Sequence, residues 1–179
     1  MSIDKTGRIA MLVLGLAAIG KPVLAQAVHV DPSWLHADAA SSSVQLTLIS
    51  GLGGVNGGMS FNGAVRGGLV FTVPVGWHVT IHYRNSDQTL PHSVVVIPAV
   101  MPVPTTASAP AFAHAASRQL AQGLPSEAHE DLTFIADRAG NFYIFCAVPG
   151  HGAAGMWIRM TVSATITGPT LAAAAKAGS

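Results

Sequence analysis

One cysteine, one histidine and one methionine follow each other with four residues between each in Cys146-Ala-Val-Pro-Gly-His151-Gly-Ala-Ala-Gly-Met156. A thiolate and a thioether together with an imidazole suit copper, because soft sulfur donors select it over the harder divalent ions. In an extended strand at ~3.3 Å per residue, positions 146 and 156 would stand ~33 Å apart. The three side chains can meet only if the segment folds back as a loop, which Pro149, Gly150, Gly152 and Gly155 permit. A further ligand has to come from elsewhere, and His92 in Leu90-Pro91-His92-Ser93 is the natural candidate, its backbone restricted by the neighbouring proline. His92, Cys146 and His151 in a trigonal set with Met156 as a weak axial ligand is the composition of a blue-copper site cycling between Cu(I) and Cu(II).

Strands have to position these residues. VQLTLIS from Val44 alternates apolar and polar residues, and MSFNGA, GLVFTVP and GWHVTIHYRN follow with β-branched enrichment and Gly/Asn punctuation. SVVVIP, after His92, is a short continuous apolar run of the kind buried on both faces. Asp131–Ala136 and Asn141–Ala147 flank the turn DRAG, and Trp157–Ser163 closes the set. About seven strands predict an all-β fold, a Greek-key β-sandwich or barrel.

Residues 98–126 interrupt it with five of the eleven prolines. They are predicted to form a loop excursion with a short helix within Ala107–Leu120, capped by Thr106 or Ser108. The expected domain is 44–165, preceded by a flexible leader over 28–43 and followed by a loose tail over 166–179.

Half of the 179 residues are apolar and 9% are charged, which excludes disorder for the bulk of the chain. The formal charge of +1, without a basic stripe, excludes a nucleic-acid footprint. A single cysteine excludes an internal disulfide and any centre needing two thiolates. Lys5 and Arg8 precede the apolar run Ile9–Ile19, and Ala25-Gln26-Ala27 fits a signal-peptidase site, so residues 1–27 read as an export signal. The run is short of the ~20 residues that span a bilayer, and a retained membrane anchor is the alternative. His78 and His82, four apart on one strand, would lie ~13 Å apart and cannot hold one ion.

FCAVPGHGAAGMW, the upstream PHS, and SFNG followed by GWHVTI resemble the cupredoxin superfamily over roughly residues 44–165, and most of all its sulfocyanin and rusticyanin branches. The resemblance implies a cupredoxin-like sandwich holding one type 1 copper ion on His92, Cys146, His151 and Met156. It also implies a monomer that shuttles single electrons between respiratory-chain components outside the cytoplasm. Its partners would be redox proteins such as cytochromes or a terminal oxidase, met transiently. Only Ser60-Phe61-Asn62-Gly63 remains here of the longer aromatic-Asn motif of sulfocyanins. Ser93 follows the first histidine, as in rusticyanin, where many cupredoxins have Asn; the resemblance associates that serine with a high potential.

A copper oxidase or nitrite reductase would need further histidine clusters, and no His-x-His occurs in the chain. An exported copper storage or delivery protein would use similar soft ligands in an exchangeable arrangement and stands as the alternative to a carrier. Gly150, Gly152, Ala153, Ala154 and Gly155 would give a carrier a small apolar docking patch over His151.

Overall fold

Alternating burial defines the strands: Val44, Leu46 and Leu48 turn inward from one strand, and Val79, Ile81 and Tyr83 from another. The computed structural model describes residues 28–107 and 109–175. The strands are β1 (Leu35–Asp38), β2 (Ser43–Ser50), β3 (Leu69–Pro74), β4 (His78–Asn85), β5 (Val95–Pro98), β6 (His129–Ile135), β7 (Gly140–Phe145), β8 (Trp157–Ser163) and β9 (Thr170–Ala173). They form two sheets, ordered β1-β2-β4-β6 and β5-β7-β8-β3-β9. The pairs β2/β4 and β3/β8 are parallel, and the other pairs are antiparallel. The main core lies between the sheets and includes Leu46, Leu48, Phe71, Ile81, Ile144, Ile158 and Met160. This is the all-β sandwich expected, and β5 is buried on both faces as its unbroken apolar run implied.

Three local expectations need correction. The stretch 28–43 is no flexible leader: β1 pairs with β2 from Leu35↔Leu46 to Asp38↔Ser43. The polar text between them is a turn in which the Asp38 carboxylate accepts from Ala40 N–H (2.9 Å) and Ser41 O–H (2.7 Å). In the tail, Thr170–Ala173 likewise form β9, paired with β3 from Thr72↔Thr170 to Leu69↔Ala173, while residues 176–179 lie outside the described residues. Edge strands like these are held by backbone hydrogen bonds, so a poor apolar pattern does not forbid them. MSFNGA contributes only bridges at Phe61 and Ala64.

The third correction concerns residues 98–126, which hold no helix among the described residues; Ser108, one of the two expected caps, lies outside them. The segment covers the free edge of β5. Val96 N–H donates to Ala115 O (2.9 Å), Ser117 N–H to Val94 O (2.8 Å) and Ala111 N–H to Val96 O (2.7 Å). Its side chains Val103, Ala107, Ala116 and Leu120 close a second apolar cluster over Val95, Ile97, Phe145, Ala147 and Trp157. Phe112 enters the main core, stacked on Phe134 at 5.5 Å. An unpaired strand edge is a liability, and this excursion removes one. The expected export signal, 1–27, lies outside the described residues.

Candidate metal centre

β7 ends at Phe145 and β8 begins at Trp157, so the segment between them must reverse direction. It does so as a tight loop: His151 N–H donates to Val148 O (3.1 Å), Met156 N–H to His151 O (3.0 Å) and Cys146 N–H to Met156 O (3.1 Å). Gly152 packs so closely on Phe145 that a β-carbon there would stand 1.9 Å from the ring. The loop therefore folds back over its own start, which is what brings His151 to Cys146.

His92 arrives from the other side. Its backbone is pinned to Leu124 by two hydrogen bonds, N–H to Leu124 O at 3.2 Å and Leu124 N–H to His92 O at 2.7 Å. Asn85, fully buried at the end of β4, donates through its amide to Leu90 O (3.0 Å) and Leu124 O (2.9 Å). Ser50 donates to the Asn85 carbonyl (3.1 Å) and bonds the Tyr83 hydroxyl (2.9 Å). A buried polar network with its hydrogen bonds made is rigid, and this one fixes the approach to His92.

The donor atoms of His92, Cys146 and His151 lie within 4.8 Å of one another. The two Nδ1 atoms are 3.1 Å apart, and Cys146 Sγ is 3.7 Å from His151 Nδ1. Around a trigonal ion with nitrogen and sulfur bonds of about 2.0–2.3 Å, donors would be separated by about 3.5–3.8 Å. The Cys146–His151 distance matches, the imidazoles need open by only a few tenths of an ångström, and the His92–Cys146 separation stays within 4.8 Å. A thiol and two imidazoles make a set suited to copper, so residues and spacing both fit. Met156 is fully buried in the same core as Cys146.

Burial holds all three groups in their uncharged forms. It pushes the Cys146 thiol up, against the pull of hydrogen bonds from Ser93 and Val148. It pushes His92 down against the attraction of Asp87, and His151 down with help from the neighbouring His92. Neither imidazole has to shed a charge before a metal arrives, whereas the thiol has to lose its proton. Ser93 touches the sulfur directly: its N–H donates to Sγ at 3.4 Å, its Oγ stands 3.9 Å away, and that Oγ accepts from Ala147 N–H at 3.0 Å.

Sequence reasoning missed Asp87. Its carboxylate, buried beside the site, faces His92 Nε2 at 3.2 Å. An acidic residue five positions before a histidine in Asn-Ser-Asp-Gln-Thr reads as an ordinary polar turn, and nothing in the text marks it. Phe145 and Trp157 flank the loop on the face covered by residues 98–126. His78 and His82 stay apart from the centre, His82 bonding Asp131 (2.9 Å) and Gln45 (3.3 Å).

A family model described as the Sulfocyanin (SoxE) domain matches residues 33–173. The chain belongs to the sulfocyanin family. The match begins before β1 and ends with β9, in accord with both as parts of the domain. A sulfocyanin of Sulfolobus acidocaldarius is 26% identical over 117 residues, 62% of this chain and 58% of that protein, so the chain spans little over half of its curated relative. Among solved structures, rusticyanin from Thiobacillus ferrooxidans superposes with a TM-score of 0.53 at 19% identity, over 73% of this chain and 86% of that one. Auracyanin from Roseiflexus castenholzii gives 0.50 at 23% identity, over 66% and 96%. These likenesses identify the sandwich of this sulfocyanin-family chain as a cupredoxin fold.

Proposed function

We propose that this protein is a mononuclear type 1 copper electron carrier, in which His92, Cys146, His151 and Met156 would hold the ion. The observation that carries the reading is a buried thiol in reach of two uncharged imidazoles on a rigid sandwich. Copper held there supplies one-electron transfer between Cu(II) and Cu(I). The chain's own part is to keep the donors still: the loop bonds at Cys146, His151 and Met156, and the network at Asn85, leave little to reorganise.

The carrier is exported, the role we assign to residues 1–27, and passes electrons between respiratory-chain partners by transient docking. Among the described residues no helix is long and apolar enough to cross a membrane. His151 is the half-buried ligand, beside exposed Pro149, Gly150 and Ala153. The electron route we assign runs through this small exposed part of the loop, which the Arg66 guanidinium borders by donating to Ala154 O at 3.0 Å. A storage protein would instead leave its thiol exchangeable, whereas Cys146 is fully buried.

The test is the visible absorption and paramagnetic resonance of the Cu(II)-loaded protein beside Cys146→Ser. An intense thiolate-to-copper band, lost in the variant, is expected. Copper bound without that band would overturn the reading in favour of storage.

A further inference from the structure

We propose that Asp87 is the positioning residue that sets the tautomer of His92, and through it that of His151, so that His92 presents an unprotonated Nδ1 to the metal. The inference rests on the reading of His92 as a copper ligand, although its main test does not.

The two carboxylate oxygens of Asp87 have different partners. Oδ1 accepts from Thr89 N–H (2.9 Å), Thr89 O–H (3.0 Å) and Leu90 N–H (3.0 Å). Oδ2 is left to face His92 Nε2 at 3.2 Å. A carboxylate only accepts, so His92 has to carry its proton on Nε2 and keep a lone pair on Nδ1. His92 Nδ1 meets His151 Nδ1 at 3.1 Å, a contact that needs one donor and one acceptor. In the metal-free protein His151 is therefore the Nδ1–H form, and its proton would pass to Nε2 when a metal takes Nδ1. The chain of choices runs from Oδ1, through the ring of His92, to the second imidazole.

The glycine-rich loop over Leu52–Gly58 encloses this arrangement. A β-carbon on Gly58 would stand 1.7 Å from Asp87 Oδ2, so only glycine leaves the oxygen its place. From the same loop Asn56 donates to Ala154 O (3.2 Å) in the ligand loop. One segment thus borders both Asp87 and the segment that carries His151. Histidines that bind metals commonly donate their other ring nitrogen to a carboxylate or carbonyl, which fixes ring orientation and raises ligand basicity.

Asp87→Asn gives a sharp test because the three donors around Oδ1 hold the amide oxygen there. The amide NH2 then falls opposite His92 and donates to Nε2, which forces the proton onto Nδ1. His151 must switch in turn to its Nε2–H form. Ring 15N shifts of the metal-free protein at pH 8 report both tautomers. We expect Nε2–H at His92 and Nδ1–H at His151 in the wild type, both reversed in Asp87→Asn. Cu(II) affinity should fall about 10- to 100-fold in the variant, measured by competition with a chelator.

Nδ1–H at His92 in the wild type would overturn the proposal, and this holds even if the variant does not fold. Tautomers unchanged in a folded Asp87→Asn would overturn it too, including where copper affinity falls, since charge alone would then explain the loss. The expected tautomers in a protein lacking the thiolate-to-copper band would support the role of Asp87 while defeating type 1 ligation.

Discussion

The Nδ1 atoms of His92 and His151 stand 3.1 Å apart, although 59 positions separate them in the chain. Their approach has two independent supports. Leu124 and Asn85 hold the His92 side, and the hydrogen bonds inside the Cys146–Met156 loop hold the other. Donors fixed before the metal arrives need not be ordered on binding, and a site that moves little on changing oxidation state transfers electrons quickly. Burial at the same place keeps both imidazoles uncharged, and that has a consequence in acid.

The metal-free protein should lose stability in two steps as pH falls. His92 and His151 lie below their usual 6.5 in the folded state because they are buried. The unfolded chain therefore takes up protons first, and stability declines below pH 6.5. Asp87 acts lower down: burial raises it, but hydrogen bonds from Thr89, Leu90 and His92 outweigh that and hold it at about 2 instead of 3.8. Its contribution is complete above 3.8 and is lost as pH falls through 2; the gap corresponds to roughly 2 kcal/mol. Urea unfolding from pH 8 to pH 2, with and without copper, checks this. A flat metal-free profile between pH 7 and pH 5 would contradict the first step.

Ser93→Ala should lower the reduction potential and destabilise the fold together. The hydroxyl accepts from the buried Ala147 N–H at 3.0 Å and lies 3.9 Å from the cysteine sulfur. Losing it strands a buried donor, at a cost of about 1–3 kcal/mol. Hydrogen bonding around the sulfur tunes such sites, and a donor to the thiolate favours the reduced state. Spectroelectrochemistry and thermal unfolding read the two effects separately. A potential that stayed in place would show that the backbone N–H of Ser93, 3.4 Å from the sulfur, acts alone.

The text of the chain pointed to the candidate site because its chemistry is rare: a lone cysteine, a histidine and a methionine in a glycine-rich loop have few other uses, and the structure brings Cys146 and His151 to His92. The strands were legible for a different reason, since Val44, Leu46 and Leu48 must alternate if one face is buried. Asp87 was not legible, because its role depends on which oxygen is already taken by Thr89 and Leu90. β1 and β9 were missed because edge strands are held by backbone bonds that leave little pattern in side chains. The proline-rich run 98–126 was correctly excluded from the centre of a sheet, yet it pairs through isolated bridges, Val95↔Ala116 and His92↔Leu124, that no periodicity announces.

Gly152→Ala should damage the centre without altering any ligand. The new methyl would stand 1.9 Å from the Phe145 ring, which is buried beneath residues 98–126 and has no room to retreat. Overpacking of this kind costs about 1–3 kcal/mol. Because Gly152 follows His151, relief by loop movement would pull the imidazole away from Cys146. A lower melting temperature with a weakened thiolate-to-copper band is expected, and an unchanged band would mean that Phe145 gives way instead.

Phe112→Ala should do the reverse. Phe112 is a large side chain that anchors the excursion in the main core, stacked on Phe134 at 5.5 Å, tilted on Phe142 at 4.7 Å and covered by Arg138 at 4.8 Å. Removing such a ring costs about 3–5 kcal/mol. Phe134 and Phe142 lie towards the ends of β6 and β7 remote from Asn85 and Cys146, the residues that border the metal centre. His92 keeps its two bonds to Leu124, which belongs to a later part of the same excursion. The variant should therefore melt well below the wild type while its copper spectrum and potential stay in place. A shifted spectrum in the folded variant would mean that residues 98–126 transmit strain to His92 along their length, and the excursion would then be part of the site as well as a cover for β5.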